Sequence, residues 1–107
     1  WLSLQGLDST FAARESRCDG CLIAWRRSLF NNAGELTVHY DPARVEIPVP
    51  EMVASRFTRY NNALIVELAP ADGHSGPRWI IATTHLYWGA QHEDVRCWQL
   101  KVLLERV

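Results

Sequence analysis

Residues 79–86 read Trp79-Ile80-Ile81-Ala82-Thr83-Thr84-His85-Leu86, and residues 93–104 read Glu93-Asp94-Val95-Arg96-Cys97-Trp98-Gln99-Leu100-Lys101-Val102-Leu103-Leu104. The first run is short, apolar and rich in β-branched residues, which predicts a buried strand. The second predicts a helix. Glu93 and Asp94 fall in its first turn, where negative charge complements the helix dipole. Val95, Trp98 and Val102, with Leu100, Leu103, Leu104 and Val107, make a broad apolar face. Arg96, Lys101 and Arg106 then cover the other side. Tyr87–Gln91 is the connecting loop, so residues 79–107 form a strand, a loop and a helix.

Working outward, two more compact apolar runs predict buried strands: Asn62–Leu68 (Asn-Ala-Leu-Ile-Val-Glu-Leu) and Gly20–Trp25 (Gly-Cys-Leu-Ile-Ala-Trp). Leu36, Val38 and Tyr40 alternate with Thr37 and His39, the pattern of a half-buried strand. Leu7–Ala13 suits a short strand, and Trp1–Gln5 the last turn of a helix stopped by Gly6. Arg14–Asp19 is a polar connection, and Arg26–Gly34 is expected to turn at Asn31, Asn32 and Gly34. Ala69–Arg78, with two prolines and two glycines, is a loop. Glu51–Tyr60, after the stiff Pro48-Val49-Pro50 segment, fits either a short helix or an irregular strand. Strands buried on both faces and followed by helices imply sheets covered by helices, an α/β or α+β layered architecture.

At 107 residues the chain has the size of one domain or part of one. The formal net charge of −1 gives no long-range attraction to nucleic acid. Nearly all the basic residues are arginine, the side chain best shaped for bidentate contact with phosphate. Genome composition is the stronger explanation of such a bias, and most of these side chains are expected in solvent. Three cysteines, Cys18, Cys21 and Cys97, argue against a disulfide framework and for an intracellular protein, its compartment left open. No apolar run approaches the ~20 residues that span a bilayer. The chain starts at Trp1 and ends at Val107 inside an apolar helical pattern, so it is expected to be cut from something longer.

His85 is the residue that invites a chemical reading. It ends a hydrophobic strand and opens onto a loop, where a side chain is held rigidly and still reaches a ligand. Imidazole can donate a hydrogen bond to a phosphate oxygen as charge develops there. Most histidines at strand ends are structural, and the residues around His85 leave both readings open.

Three blocks sharpen the choice. Asp19-Gly20-Cys21-Leu22-Ile23-Ala24-Trp25-Arg26-Arg27 followed by Phe30, then Asn61-Asn62-Ala63-Leu64-Ile65-Val66, then Thr84-His85-Leu86-Tyr87-Trp88 followed by Asp94-Val95-Arg96, Gln99 and Leu103-Leu104 occur in this order. They resemble the "DGCA-I-F", "N-V-A-L-I" and "THL…W-D-P…D-V-(R/K)-x-x-Q…LL" blocks of deadenylase-like phosphodiesterases in the endonuclease/exonuclease/phosphatase superfamily. That group includes the carbon-catabolite-repression deadenylases, the angel proteins and the 2′,5′-phosphodiesterase. The resemblance implies a four-layer α/β sandwich of two packed mixed sheets with outer helices, of which residues 1–107 would be a central piece, incomplete at both ends.

It also implies that His85 lies near the scissile phosphate as the catalytic residue of this chain, with Asn61 beside it and Tyr87 and Trp88 lining the nucleotide cleft. Gly89-Ala90 stand where the family has Asp-Pro. The implied cofactor is Mg2+, the implied substrate RNA or an oligonucleotide, cleaved from the 3′ end with an adenylate preference. The family's metal-binding glutamate, Asp-x-Asn motif and Asp-His pair have no counterpart here. The expected metal ligands of this chain are therefore none, and the isolated chain is expected to be inactive. A non-catalytic interaction module or degenerate copy of the same fold is the alternative, and a phosphomonoesterase or lipid phosphodiesterase on the same fold a third.

Other groups have plainer explanations. Cys18-Asp19-Gly20-Cys21 has the spacing of half a zinc site and nothing to complete it. Asp72-Gly73-His74 is a solvated turn. Arg26 and Arg27 end a strand and face water more readily than they touch phosphate. Trp25 and Trp79 belong to buried runs. Trp88 fits a base-stacking surface and a plug against Val95 or Trp98 equally well.

Overall fold

The computed structural model describes all residues 1–107. A 3-10 turn, Ser3–Gln5, ends at Gly6, which takes up a left-handed conformation at φ 72°. Strands β1 (Leu7–Ala13) and β2 (Gly20–Arg26) form an antiparallel hairpin. Strands β3 (Phe30–His39), β4 (Asn62–Pro70) and β5 (Trp79–Thr84) form a second, antiparallel sheet with β4 in the centre. Between β3 and β4 the chain makes a 3-10 turn, Glu51–Val53, and one helical turn, α1 (Ala54–Phe57), so the ambiguous segment is helical. Helix α2 (Glu93–Leu104) closes the chain.

β4 explains the layering. Its residues alternate between two buried faces. Leu64, Val66 and Leu68 pack against Ala12, Cys21, Ile23 and Trp25 of the hairpin. Ala63 and Ile65 face the other way, with Val38 and Tyr40, onto Trp98, Val102 and Leu103 of α2. The order is therefore hairpin, three-stranded sheet, helix, an α+β arrangement in which one apolar strand serves two cores. All pairings are antiparallel, so these five strands do not supply the mixed character that the resemblance implies.

Several expectations need correction. β5 is an edge strand and is not buried: Trp79, Ile80 and Ile81 are all substantially exposed. Its apolar run marks a strand with an unpaired outer edge, along which Trp79–Ala82 stay exposed, and Trp79 is therefore not a core residue. β2 alternates buried and exposed residues, because only its inner face meets β4. Asn31, Asn32 and Gly34 do not end the strand. They lie inside β3, where a bulge between Asn32 and Gly34 absorbs the extra residue.

On α2, Leu100 and Leu104 stay largely exposed, as does Val107 beyond its end, and Gln99 is fully buried in their stead. The buried stripe runs through Val95, Trp98, Gln99, Val102 and Leu103, the face aimed at β3 and β4. Arg96 does not cover a solvent face; it donates to the carbonyls of Tyr87 and Gly89.

Candidate active-site cleft

The registers fix which ends of the strands lie together. His39 pairs with Asn62, Ala63 with Thr84, and Ala13 with Gly20, while Arg26 pairs with Leu7 at the far end of the hairpin. The start of β4, the end of β5 and the open end of the hairpin meet at one edge of the layers. A cleft of about 510 Å³ opens there, lined by Arg14, Arg17, Asp19, Thr58, Arg59, Tyr60, Asn61, His85, Tyr87 and Trp88. All four residues singled out from the sequence, His85, Asn61, Tyr87 and Trp88, are among them.

His85 is the first residue after β5, and its ring is exposed to the cleft. Its backbone is fixed from below: the His85 N–H donates to the Asn62 carbonyl at 3.2 Å. The Thr84 hydroxyl donates to the same carbonyl at 3.2 Å and shares a 2.7 Å hydrogen bond with the Tyr40 hydroxyl. Burial pushes the Tyr40 phenol above its usual range, partly offset by that bond to Thr84. Burial likewise pushes the Cys21 thiol up, against lowering contributions from the His85 backbone and Arg14. Cys21 is thus an inert core thiol, its sulfur 3.6 Å from the Asn62 carbonyl.

Arg14 leaves the end of β1 and crosses to the sheet. Its Nε donates to the Tyr60 carbonyl at 2.9 Å and its Nη1 to Asp19 at 3.0 Å. Nη1 also lies 3.5 Å from His85 Nδ1. Guanidinium only donates, so Nδ1 presents a lone pair in this contact, and the ring proton sits on Nε2, free to donate into the cleft. Arg14 Nη2 has no partner within the protein.

Asn61 and Asn62 enter β4 pointing opposite ways. Asn62 turns to the hairpin, its Nδ2 donating to the carbonyls of Ala12 and Ala13 at 3.0 and 3.1 Å. Asn61 turns to the cleft side, and its Oδ1 lies 3.5 Å from Gln99 Nε2. Gln99 also accepts the Tyr87 N–H at 2.9 Å through Oε1. One buried amide of α2 therefore sets both Asn61 and the loop after His85. Tyr87 is half-buried, with the His92 ring edge-on at 5.0 Å and the Arg59 guanidinium 4.5 Å above its centroid. Trp88 neither plugs the core nor packs on Val95 or Trp98; 84% of it is exposed beside the cleft.

The sequence reading missed Arg14, Arg17 and Arg59. Arg14 and Asp19 flank the hairpin connection with opposite charges, a signal that was legible. Arg26 and Arg27 sit at the wrong end of the hairpin. Arg27 is occupied by Ser3, by the Leu7 carbonyl and by Asp8. Glu93 and Asp94 lie in the first turn of α2, and Asp94 pairs with Arg56 at 2.8 Å.

The resemblance implies a metal, and the donor set can be tested for one. No group of three or more His, Cys, Asp or Glu converges anywhere in the chain. The only carboxylate in the cleft, Asp19, is engaged by Arg14. Cys18 is exposed and Cys21 buried, so they do not form half a zinc site. These residues do not fit a divalent cation.

The same layered fold is found in a solved structure. ANGEL2, described as a 2′,3′-cyclic phosphatase and solved with adenosine-2′,3′-vanadate, superposes with a TM-score of 0.80 over 99% of this chain and 28% of its own, at 24% identity. A probable RNA exonuclease of Schizosaccharomyces pombe is 30% identical over 102 residues, covering 95% of this chain and 19% of the relative. A probable CCR4-Not complex 3′-5′-exoribonuclease subunit Ccr4 of Encephalitozoon cuniculi is 23% identical over 92 residues, covering 83% and 18%. No family model matches the chain. In fold and along most of its sequence the chain is therefore similar to deadenylase-like proteins of the endonuclease/exonuclease/phosphatase superfamily. It spans about a fifth of the length of the curated relatives it matches.

Proposed function

We propose that this chain forms one wall of the substrate cleft of a Mg2+-dependent phosphodiesterase that hydrolyses RNA from its 3′ end with an adenylate preference. The observation that carries the reading is the Arg14–His85 pair at the strand ends of a cleft also lined by Asn61, Tyr87 and Trp88. His85 Nε2–H donates to a non-bridging phosphate oxygen, and the unpaired Nη2 of Arg14 supplies a second, charge-assisted donor beside it. Asn61 adds an amide whose orientation Gln99 fixes. Trp88 offers an exposed ring on which a base stacks, a contact worth ~1–3 kcal/mol. Tyr87 closes the side of the cleft.

None of these groups generates a nucleophile, so the chain's own residues bind and orient the phosphodiester and steady its charge. Carboxylates that would hold Mg2+ and activate water are not among them, and no cleavage is expected from the chain alone. Measurable Mg2+-dependent cleavage of poly(A) by the purified 107-residue chain would overturn that expectation. In the intact protein, His85→Ala is expected to lower kcat on poly(A) by about 100- to 1000-fold, the usual cost of losing one donor to a developing oxyanion. An unchanged kcat would remove His85 from the chemistry.

A further inference from the structure

Arg59 differs from the other engaged arginines of the molecule. Arg14, Arg27, Arg44, Arg56 and Arg78 each lie within 4 Å of a carboxylate, and Arg96 is spent on two backbone carbonyls. Arg59 lines the cleft, makes no ion pair, and its Nε is shielded from solvent with no hydrogen-bond partner. The Nη groups of the same fork are not shielded and have no hydrogen-bond or ion-pair partner in the protein, so a ligand oxygen in the cleft can reach donors that nothing else engages.

The group is also held ready. Its guanidinium rests 4.5 Å above the Tyr87 ring, a cation–π contact that fixes the plane of the fork without using its N–H groups. Tyr87 is braced in turn by His92 and by the bond from its N–H to Gln99. Three guanidinium groups, Arg14, Arg17 and Arg59, face a single carboxylate, Asp19, across this cleft, in a chain of net charge −1. No ion pair within the protein engages Arg59, so its charge is available to a ligand in the cleft.

We propose that Arg59 is a second anion subsite, which takes a further phosphoryl group of the ligand bound at His85 and Arg14. The ligand class is therefore one with two phosphoryl groups, either consecutive phosphodiesters of an oligonucleotide or a diphosphate. The inference rests on the reading that the His85 cleft takes phosphate. Arg59 is a binding residue that sets specificity for ligand length, since a rigid planar fork suits a phosphate oxygen pair.

Equilibrium binding of AMP, ADP and the dinucleotide pApA to the chain, by calorimetry, tests it. The two-phosphate ligands are expected to bind tighter than AMP by about tenfold or more, the factor carried by one charge-assisted hydrogen bond. In Arg59→Gln that preference should vanish. Arg59→Lys should keep part of it, and Arg26→Gln, at the far end of the hairpin, all of it. Thermal melts of each variant verify folding. A preference for pApA over ADP names successive phosphodiesters, and the reverse names a diphosphate. A preference that persists in Arg59→Gln, or is absent from the unaltered chain that still binds AMP, overturns the proposal. AMP affinity that is nil, or indifferent to His85→Ala, overturns the reading beneath it.

Discussion

Replacing Asn62 by alanine should detach the hairpin from the sheet before anything else fails. Asn62 is 1% exposed, and its amide donates to the carbonyls of Ala12 and Ala13 across the layer boundary. The two bonds contribute about 1 kcal/mol each net, and up to about 2 kcal/mol each where the freed acceptor stays out of water. The expected loss is therefore about 2–4 kcal/mol, against about 5–15 kcal/mol for a whole domain of this size.

Asn62→Asp is the sharper variant. It keeps the shape but turns an acceptor toward two carbonyl oxygens, so it should cost at least as much as alanine. Urea unfolding followed by circular dichroism gives the total. Amide exchange separates the parts: β2 amides should lose protection in Asn62→Ala while those of β4 and β3 keep more of theirs. A loss below about 1 kcal/mol, or an aspartate better tolerated than alanine, would refute the idea that this amide ties the two layers.

Gly20→Ala places a methyl 2.2 Å from the Ala12 carbonyl oxygen and 2.7 Å from the Phe11 ring, and should destabilise by about 1–3 kcal/mol, read as a fall in urea midpoint. Gln99→Ala removes the partner of the Tyr87 N–H and of Asn61; a stability loss of about 2 kcal/mol is expected, with Tyr87 and Asn61 amide resonances broadened or shifted in NMR spectra. Stability should also fall on the alkaline side. Cys21 and Tyr40 have folded values raised above the ordinary 9.0 and 10.0, so the unfolded chain releases their protons first. Their contribution is whole below pH 9.0 and is lost as pH rises through the folded values, and Tyr40→Phe should flatten that slope in melts from pH 8 to 11. The bare edge and apolar flank of β5 should make the isolated chain self-associate. Ile80→Lys should shift it toward monomer in sedimentation velocity, and a monodisperse unaltered chain would contradict this.

The order of elements was legible because local chemistry writes it: Gly6 stops a turn, Glu93 and Asp94 start a helix, and apolar runs of six or seven residues make strands. The three blocks that resemble deadenylase-like phosphodiesterases likewise placed His85, Asn61, Tyr87 and Trp88 near one another before any geometry was known. Hydrophobicity along a strand, however, does not say which layer lies above or below it. β4 and β5 read alike as apolar runs, yet β4 is buried on both faces by the hairpin and α2, while β5 is an edge with Trp79, Ile80 and Ile81 in the open.

Amino-acid order by itself determined the strands, the helix and the strand-end histidine, since each depends on neighbours within a few residues. Tertiary structure alone decided the company His85 keeps. Arg14 lies 71 residues away along the chain and reaches the ring only because the hairpin's open end folds onto the start of β4. Arg59 came to rest on Tyr87, and Gln99 took a buried place on α2, for the same reason: contacts between distant segments are set by how layers stack, which no local pattern records.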